Sequence, residues 1–130
     1  MGFDQYHEPP AELPEEARTF ARMSANLIEE AEAIDWYEQR LAIERNPEAR
    51  AIMLDAEGEE FKHFAMNLEF LFRRLPLWRE IAEGILFTDG DIVEHGEASE
   101  EEATEEEATK GAPVAGSESL GIGSLREGAR

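Results

Sequence analysis

The chain has 130 residues and a formal net charge of -19. That length allows one domain at most, and the charge argues against nucleic acid or an anionic membrane surface as a partner. It has no cysteine, so disulfides, thiolate metal sites and thiol catalysis are excluded; any metal must use oxygen and imidazole ligands, which favours iron, manganese, zinc or calcium over copper(I).

The N-terminus lacks the basic and apolar regions of a signal peptide, and no apolar run is long enough to span a bilayer. Tyr6 stands where a myristoylation site needs Ser or Thr. A protein of the reducing cytoplasm, with no membrane partner, is expected. Residues 1–13 are short, Pro-containing and read as an extended arm, with residues 14–92 forming the helical domain.

Pro14 suits a first helical position, and Glu15 and Glu16 complement the helix dipole. The next punctuation is Asn46-Pro47-Glu48, an N-cap, a Pro at N1 and an acidic first turn. One helix of about 30 residues therefore ends near Arg45 and a second ends near Arg74, where Pro76 forbids continuation. Each is roughly 40 to 45 Å long at 1.5 Å per residue. A short link between two such helices makes an antiparallel hairpin. A third, shorter helix covers Leu77 to Phe87, docked by Trp78, and "TDGD" from Thr88 is a turn.

The second helix carries Met53, Ala56, Phe64, Leu68, Phe70, Leu71 and Phe72, apolar around much of its circumference, so it needs burial on more than one side. So small a chain cannot supply that alone. The expected fold is all-α: a two-helix hairpin with a short third helix, dimerising into a four-helix bundle. Beyond it, "GEASEEEATEEEAT" repels itself, and residues 93–116 read as a disordered acidic linker. The remainder, 117–130, contains the different segment "SLGIGSLR".

Two faces of the hairpin break the apolar pattern. Met53, Ala56, Glu60, His63, Asn67 and Phe70 advance by threes and fours along one stripe, and Leu27, Glu30, Ile34 and Tyr37 do the same on the first helix. A carboxylate on an apolar stripe is costly unless it is paired or coordinates a cation. Ferritin-like di-metal proteins use one Glu from each of two helices and a Glu-x-x-His from each of two others. Glu30 and the pair Glu60–His63 are half of that set, so two copies complete both the core and the site. A lone Glu-x-x-His is commonly a solvated pair, and a buried polar network that fixes helix register is the alternative. Tyr37 is placed to hydrogen-bond a ligand carboxylate. Glu29 and Glu32 read as surface acids able to attract cations, Trp36 as a rim aromatic, and His7 and His95 as having no role.

The blocks "LIEEAEAIDWYEQR" (27–40), "EEFKHFAMNLEF" (59–70) and "LFTDG" (86–90), with "HEP" at His7 to Pro9, closely resemble the encapsulated ferritins over about three quarters of the chain. That resemblance implies a half-ferritin fold whose ferroxidase centre forms only between two subunits, in a ring of five dimers. It implies di-iron ligands at Glu30, Glu60 and His63, with Tyr37 beside them. It also implies a secondary metal site, for a cation such as calcium, at Glu29, Glu32 and Trp36 on the approach to the centre. Lys62 and Phe70 depart from the family's usual acidic residue and Trp, at positions that hold no metal. The segment Ser119–Arg126 resembles encapsulin cargo-loading peptides, with Ile122 and Leu125 as anchors. The function implied is oxidation of iron(II) inside an encapsulin nanocompartment. The competing readings are a non-enzymatic cargo or scaffold subunit and a di-manganese or zinc protein without oxidase activity.

Overall fold

The computed structural model describes residues 4–111. The cargo-like segment Ser119–Arg126 and the end of the expected linker, 112–116, lie outside them. The regular elements are a 3-10 turn (Pro10–Glu12) and helices α1 (Glu15–Ile43), α2 (Pro47–Phe72), α3 (Pro76–Glu83) and α4 (Ile92–Gly111). The chain divides into two compact units, Met1–Arg79 and Glu80–Arg130.

The first unit is the α1–α2 hairpin. Pro14 is the N-cap of α1, in extended backbone, and not its first helical residue; Glu15 and Glu16 then fill the acidic first turn. At the other end Glu44 turns extended and ends the helix. The connection is held by its own side chains. The Glu44 carboxylate accepts from the backbone N–H of Arg45 and Asn46, at 2.9 Å each. Asn46 Oδ1 accepts from Ala49 N at 3.0 Å and caps α2. Arg50, one turn into α2, donates back to the carbonyls of Leu41 and Glu44. Those are carbonyls of the α1 terminus that have no acceptor role within the helix. One arginine thereby closes the end of α1 and clamps the two helices together.

Along the hairpin Leu41 and Leu71 are buried, Leu71 to 1% exposure. Full burial of one such leucine stabilises by about 1.5–3 kcal/mol. The α2 residues buried with Leu71 are polar: Glu57 and Asn67. Outward faces of the same helices leave Ile43, Ile52, Leu54, Phe61 and Met66 exposed. After Phe72 the chain passes through αR backbone at Arg73 and restarts at Pro76. The Trp78 ring meets Phe72 edge-on, with centroids 4.9 Å apart.

In the second unit α3 ends at Glu83, earlier than the Phe87 expected from the sequence. The acidic run expected to be a disordered linker is instead helical from Ile92 to Gly111. Three local causes account for it. Asp91 caps the helix, its Oδ1 accepting from Val93 N and Glu94 N at 2.9 and 3.0 Å. Glu and Ala are strong helix formers, and Lys110 pairs with Glu106 at the C-terminal turn, 2.8 Å away. Ser99 and Ala103, spaced by four, are also buried. Ser99 Oγ donates to the carbonyl of Ile81 at 2.7 Å. His95, expected in a flexible segment, lies in the first turn, its Nε2 2.7 Å from the Asp89 carbonyl.

Gly84 is required by this packing, because a Cβ there would lie 2.2 Å from Ser99 Oγ and 2.6 Å from Ser99 Cβ. A Gly→Ala change without such a clash stabilises slightly through the unfolded chain. Here Gly84→Ala should destabilise, by about 1–3 kcal/mol; adding Ser99→Gly should return part of the loss. Thermal melting followed by circular dichroism reads both. At the hairpin turn, Asn46→Ala should cost about 1 kcal/mol, measured as a lower urea midpoint.

Candidate metal centre

Glu30 sits midway along α1, on the face turned toward α2, and Glu60 and His63 occupy adjacent positions one turn apart on α2. Because the helices are antiparallel and joined by three residues, positions 30 and 60 fall at nearly the same level of the hairpin. The result is convergence. His63 Nδ1 lies 3.5 Å from Glu60 Oε2 and 4.0 Å from Glu30 Oε2. One donor atom from each of the three lies within 4.8 Å of the others. The two carboxylates are half-buried, and the imidazole is more open to solvent.

The electrostatics at this point are those of a site short of positive charge. Glu30 hydrogen-bonds to Glu60, which raises its carboxyl above the ordinary range; burial and the Glu60 charge push the same way, and only His63 opposes them. Two carboxyls facing each other are stabilised by a shared proton or by a cation held between them. Oxygen and imidazole donors suit a divalent ion of the iron, manganese or zinc type. Three donors leave room for more than this chain provides. Two grooves of about 810 and 850 Å3 lie around Arg73 and Arg74 and are not lined by these three residues.

The other residues singled out in the sequence are placed differently. Glu29 and Glu32 are exposed on α1, and the Glu29 charge adds to the pressure on Glu30. Trp36, half exposed, borders a shallow groove with Gln39 and Arg40. Glu29, Glu32 and Trp36 follow one another by three and four residues, so they share a stripe beside the cluster. Tyr37 stands under the Arg40 guanidinium, 5.2 Å from its ring centroid. Among the described residues no hydrogen bond ties its hydroxyl to Glu30 or Glu60.

Sequence reading overlooked Glu57, which is 3% exposed and whose carboxyl meets that of Glu38 across the hairpin. A signal was present. Met53, Glu57, Glu60, Phe64, Asn67 and Leu71 form a stripe that shares Met53, Glu60 and Asn67 with the one first chosen and takes the next residue at its other three positions, and the three buried α2 residues all lie on it.

Comparison with known proteins places this geometry in a family. Residues 5–89 match the EncFtn-like family model. A ferritin-like protein of Thermotoga maritima is 44% identical over 91 residues, spanning 70% of this chain and 80% of its own. An encapsulated ferritin-like protein of Rhodospirillum rubrum is 41% identical over 122 residues, spanning 92% of this chain and 86% of its own. The crystal structure of protein ne0167 from Nitrosomonas europaea superimposes with a TM-score of 0.65 at 38% identity, covering 68% of this chain and 98% of that one. With a hairpin, a Glu/Glu/His cluster and a family match that all fall on the same residues, the chain belongs to the EncFtn-like family.

Proposed function

We propose that the chain is a ferroxidase whose centre is completed between two copies. The observation that carries this reading is the convergence of Glu30, Glu60 and His63 within 4.8 Å, half of a four-carboxylate, two-imidazole set. A second copy set against the same face supplies the other half. It also covers apolar side chains that one hairpin leaves in water, such as Phe61 and Met66, so core completion and site completion favour the same assembly.

Iron(II) is the substrate. Glu30 and Glu60 supply the negative charge that draws two such ions together, and the imidazole of His63 fixes the geometry. Each iron gives up one electron, and the two electrons, with two protons from water, reduce one dioxygen to hydrogen peroxide. A proton on the raised Glu30 carboxyl competes with iron and must leave before it binds. Glu29, Glu32 and Trp36 flank the approach, where exposed carboxylates gather cations from solvent. The Rhodospirillum rubrum relative is named as encapsulated. In the same setting, Ser119–Arg126 attaches this protein to an encapsulin shell, and the iron(III) product is stored inside it.

Anaerobic iron(II) loading followed by air should give a fast rise in iron(III) absorbance. Glu30→Ala and His63→Ala should each slow it by about tenfold or more. Equal rates in the variants would remove these residues from the centre. Metal binding without iron oxidation would favour the manganese or zinc reading, and neither would leave a scaffold.

The raised Glu30 carboxyl adds a pH dependence. A proton competes with the cation wherever pH lies below that raised value, so metal affinity should fall as pH drops through it and level off above. Titration of Mn2+ binding from pH 4 to pH 8 reads this, and a flat profile would contradict it. Removal of 117–130 should abolish co-purification with a co-expressed encapsulin while oxidation continues.

A further inference from the structure

The Glu30–Glu60–His63 cluster uses one nitrogen of His63 and leaves the other idle. Nδ1 is the atom that faces both carboxylates, 3.5 Å from Glu60 Oε2 and 4.0 Å from Glu30 Oε2. An imidazole that ligates through Nδ1 offers its lone pair there, so its proton sits on Nε2. Nε2 lies on the other edge of the ring, turned away from the two carboxylates. Among the described residues, the polar contacts of His63 all run through Nδ1. A metal-bound histidine is held in orientation and in tautomer by an acceptor on its second nitrogen.

One side chain is placed to be that acceptor. Asn67 follows His63 by four residues, on the stripe that also carries Glu60. Helical side chains lean toward the N-terminal end of their helix, so the Asn67 amide lies over the turn that carries His63. Asn67 is 8% exposed, and among the described residues its amide makes no hydrogen bond. The chain's other two asparagines, both exposed, do use theirs: Asn26 on Met23 Sδ and Asn46 on Ala49 N. A buried amide without a partner is rare in a native fold, and a leucine would fill the position at less cost if packing were its purpose. The amide oxygen and the Nε2–H are complementary groups one turn apart, each without a protein partner. Water competes as the acceptor while the imidazole is 45% exposed. In the proposed assembly a second copy displaces that water. We propose that Asn67 Oδ1 accepts the Nε2–H of His63 and so holds Nδ1 toward the metal. Asn67 is then a positioning residue, acting through the imidazole. This inference rests on the reading of Glu30, Glu60 and His63 as metal ligands, but it requires neither that the metal be iron nor that it be oxidised.

The test measures Co2+ binding to the full chain by equilibrium dialysis, in the wild type, Asn67→Leu, His63→Ala and the double variant. Asn67→Leu keeps the branched shape and removes the acceptor; it should weaken Co2+ binding by about tenfold or more. Its melting temperature without metal should not fall, whereas a purely structural role for the amide requires a fall. In the His63→Ala background Asn67→Leu should change nothing further, because an effect routed through the imidazole disappears with it. Crystals of the Co2+-loaded protein should place Asn67 Oδ1 within about 3.2 Å of His63 Nε2. Equal Co2+ affinity in the wild type and Asn67→Leu would overturn the proposal. So would an equal loss in the His63→Ala background, or an Oδ1–Nε2 separation beyond about 3.5 Å. Wild-type protein that binds no Co2+ would overturn this proposal and the metal centre together. The expected Co2+ pattern without iron oxidation would support the positioning role and strike the ferroxidase reading alone.

Discussion

The cost of withdrawing a carboxylate from water governs this hairpin. The seam between α1 and α2 is where apolar side chains would stabilise most, yet α2 contributes Glu57, Glu60 and Asn67 to it beside Leu71. Each glutamate there faces another across the seam, Glu60 opposite Glu30 and Glu57 opposite Glu38. Like charges held so close raise the energy of the ionised fold, and the described residues bring only one basic group to them, the part-exposed imidazole of His63. Protonation removes the penalty at the expense of metal affinity. Cation binding removes it and stabilises the fold, because an ion that binds only the folded state shifts the folding equilibrium toward it. In our reading the hairpin is therefore a weaker structure without its cations, and metal occupancy and stability are one property.

That constraint explains why the turn is so heavily fastened. A seam with polar groups at its middle holds its register poorly by packing alone. The connection at Glu44–Asn46 supplies register by covalent shortness and by hydrogen bonds: two backbone donors on the Glu44 carboxylate, the Asn46 cap, and Arg50 reaching back to two α1 carbonyls. With the turn fixed, the level of residue 60 opposite residue 30 follows from helix rise alone. A one-residue slip would rotate Glu60 by about 100° around α2 and part it from Glu30.

Much of this was legible before any coordinates. Pro14, Asn46-Pro47 and Pro76 mark the helix limits because proline and caps act locally, and the convergence of Glu30 with Glu60 and His63 follows from two helices of similar length and a short link. Two things were hidden, for different reasons. Glu57 escaped because a helix with apolar residues on several faces offers two plausible stripes that share half their residues, and only the partner helix decides between them. The α4 helix escaped because its charge density dominates any compositional view. Its order depends on a few small side chains at helical spacing, Ser99 and Ala103, and on the Asp91 cap. A serine buried on a carbonyl carries no hydropathy signal at all.

The exposed side chains bear on how the pieces act together. A hairpin that buries Leu41 and Leu71 while leaving Ile52, Leu54, Phe61 and Met66 in water has spent its interior on polar groups and its exterior on apolar ones. That inversion is costly for a lone chain. It becomes sensible where the outward apolar face meets a second copy, since the carboxylates then lie inside a bundle and not at the edge of a hairpin. Desolvation strengthens their interaction with any cation held there. By this reasoning the proposed assembly would do more than complete a ligand set: it would lower the local dielectric around the carboxylates of Glu30 and Glu60.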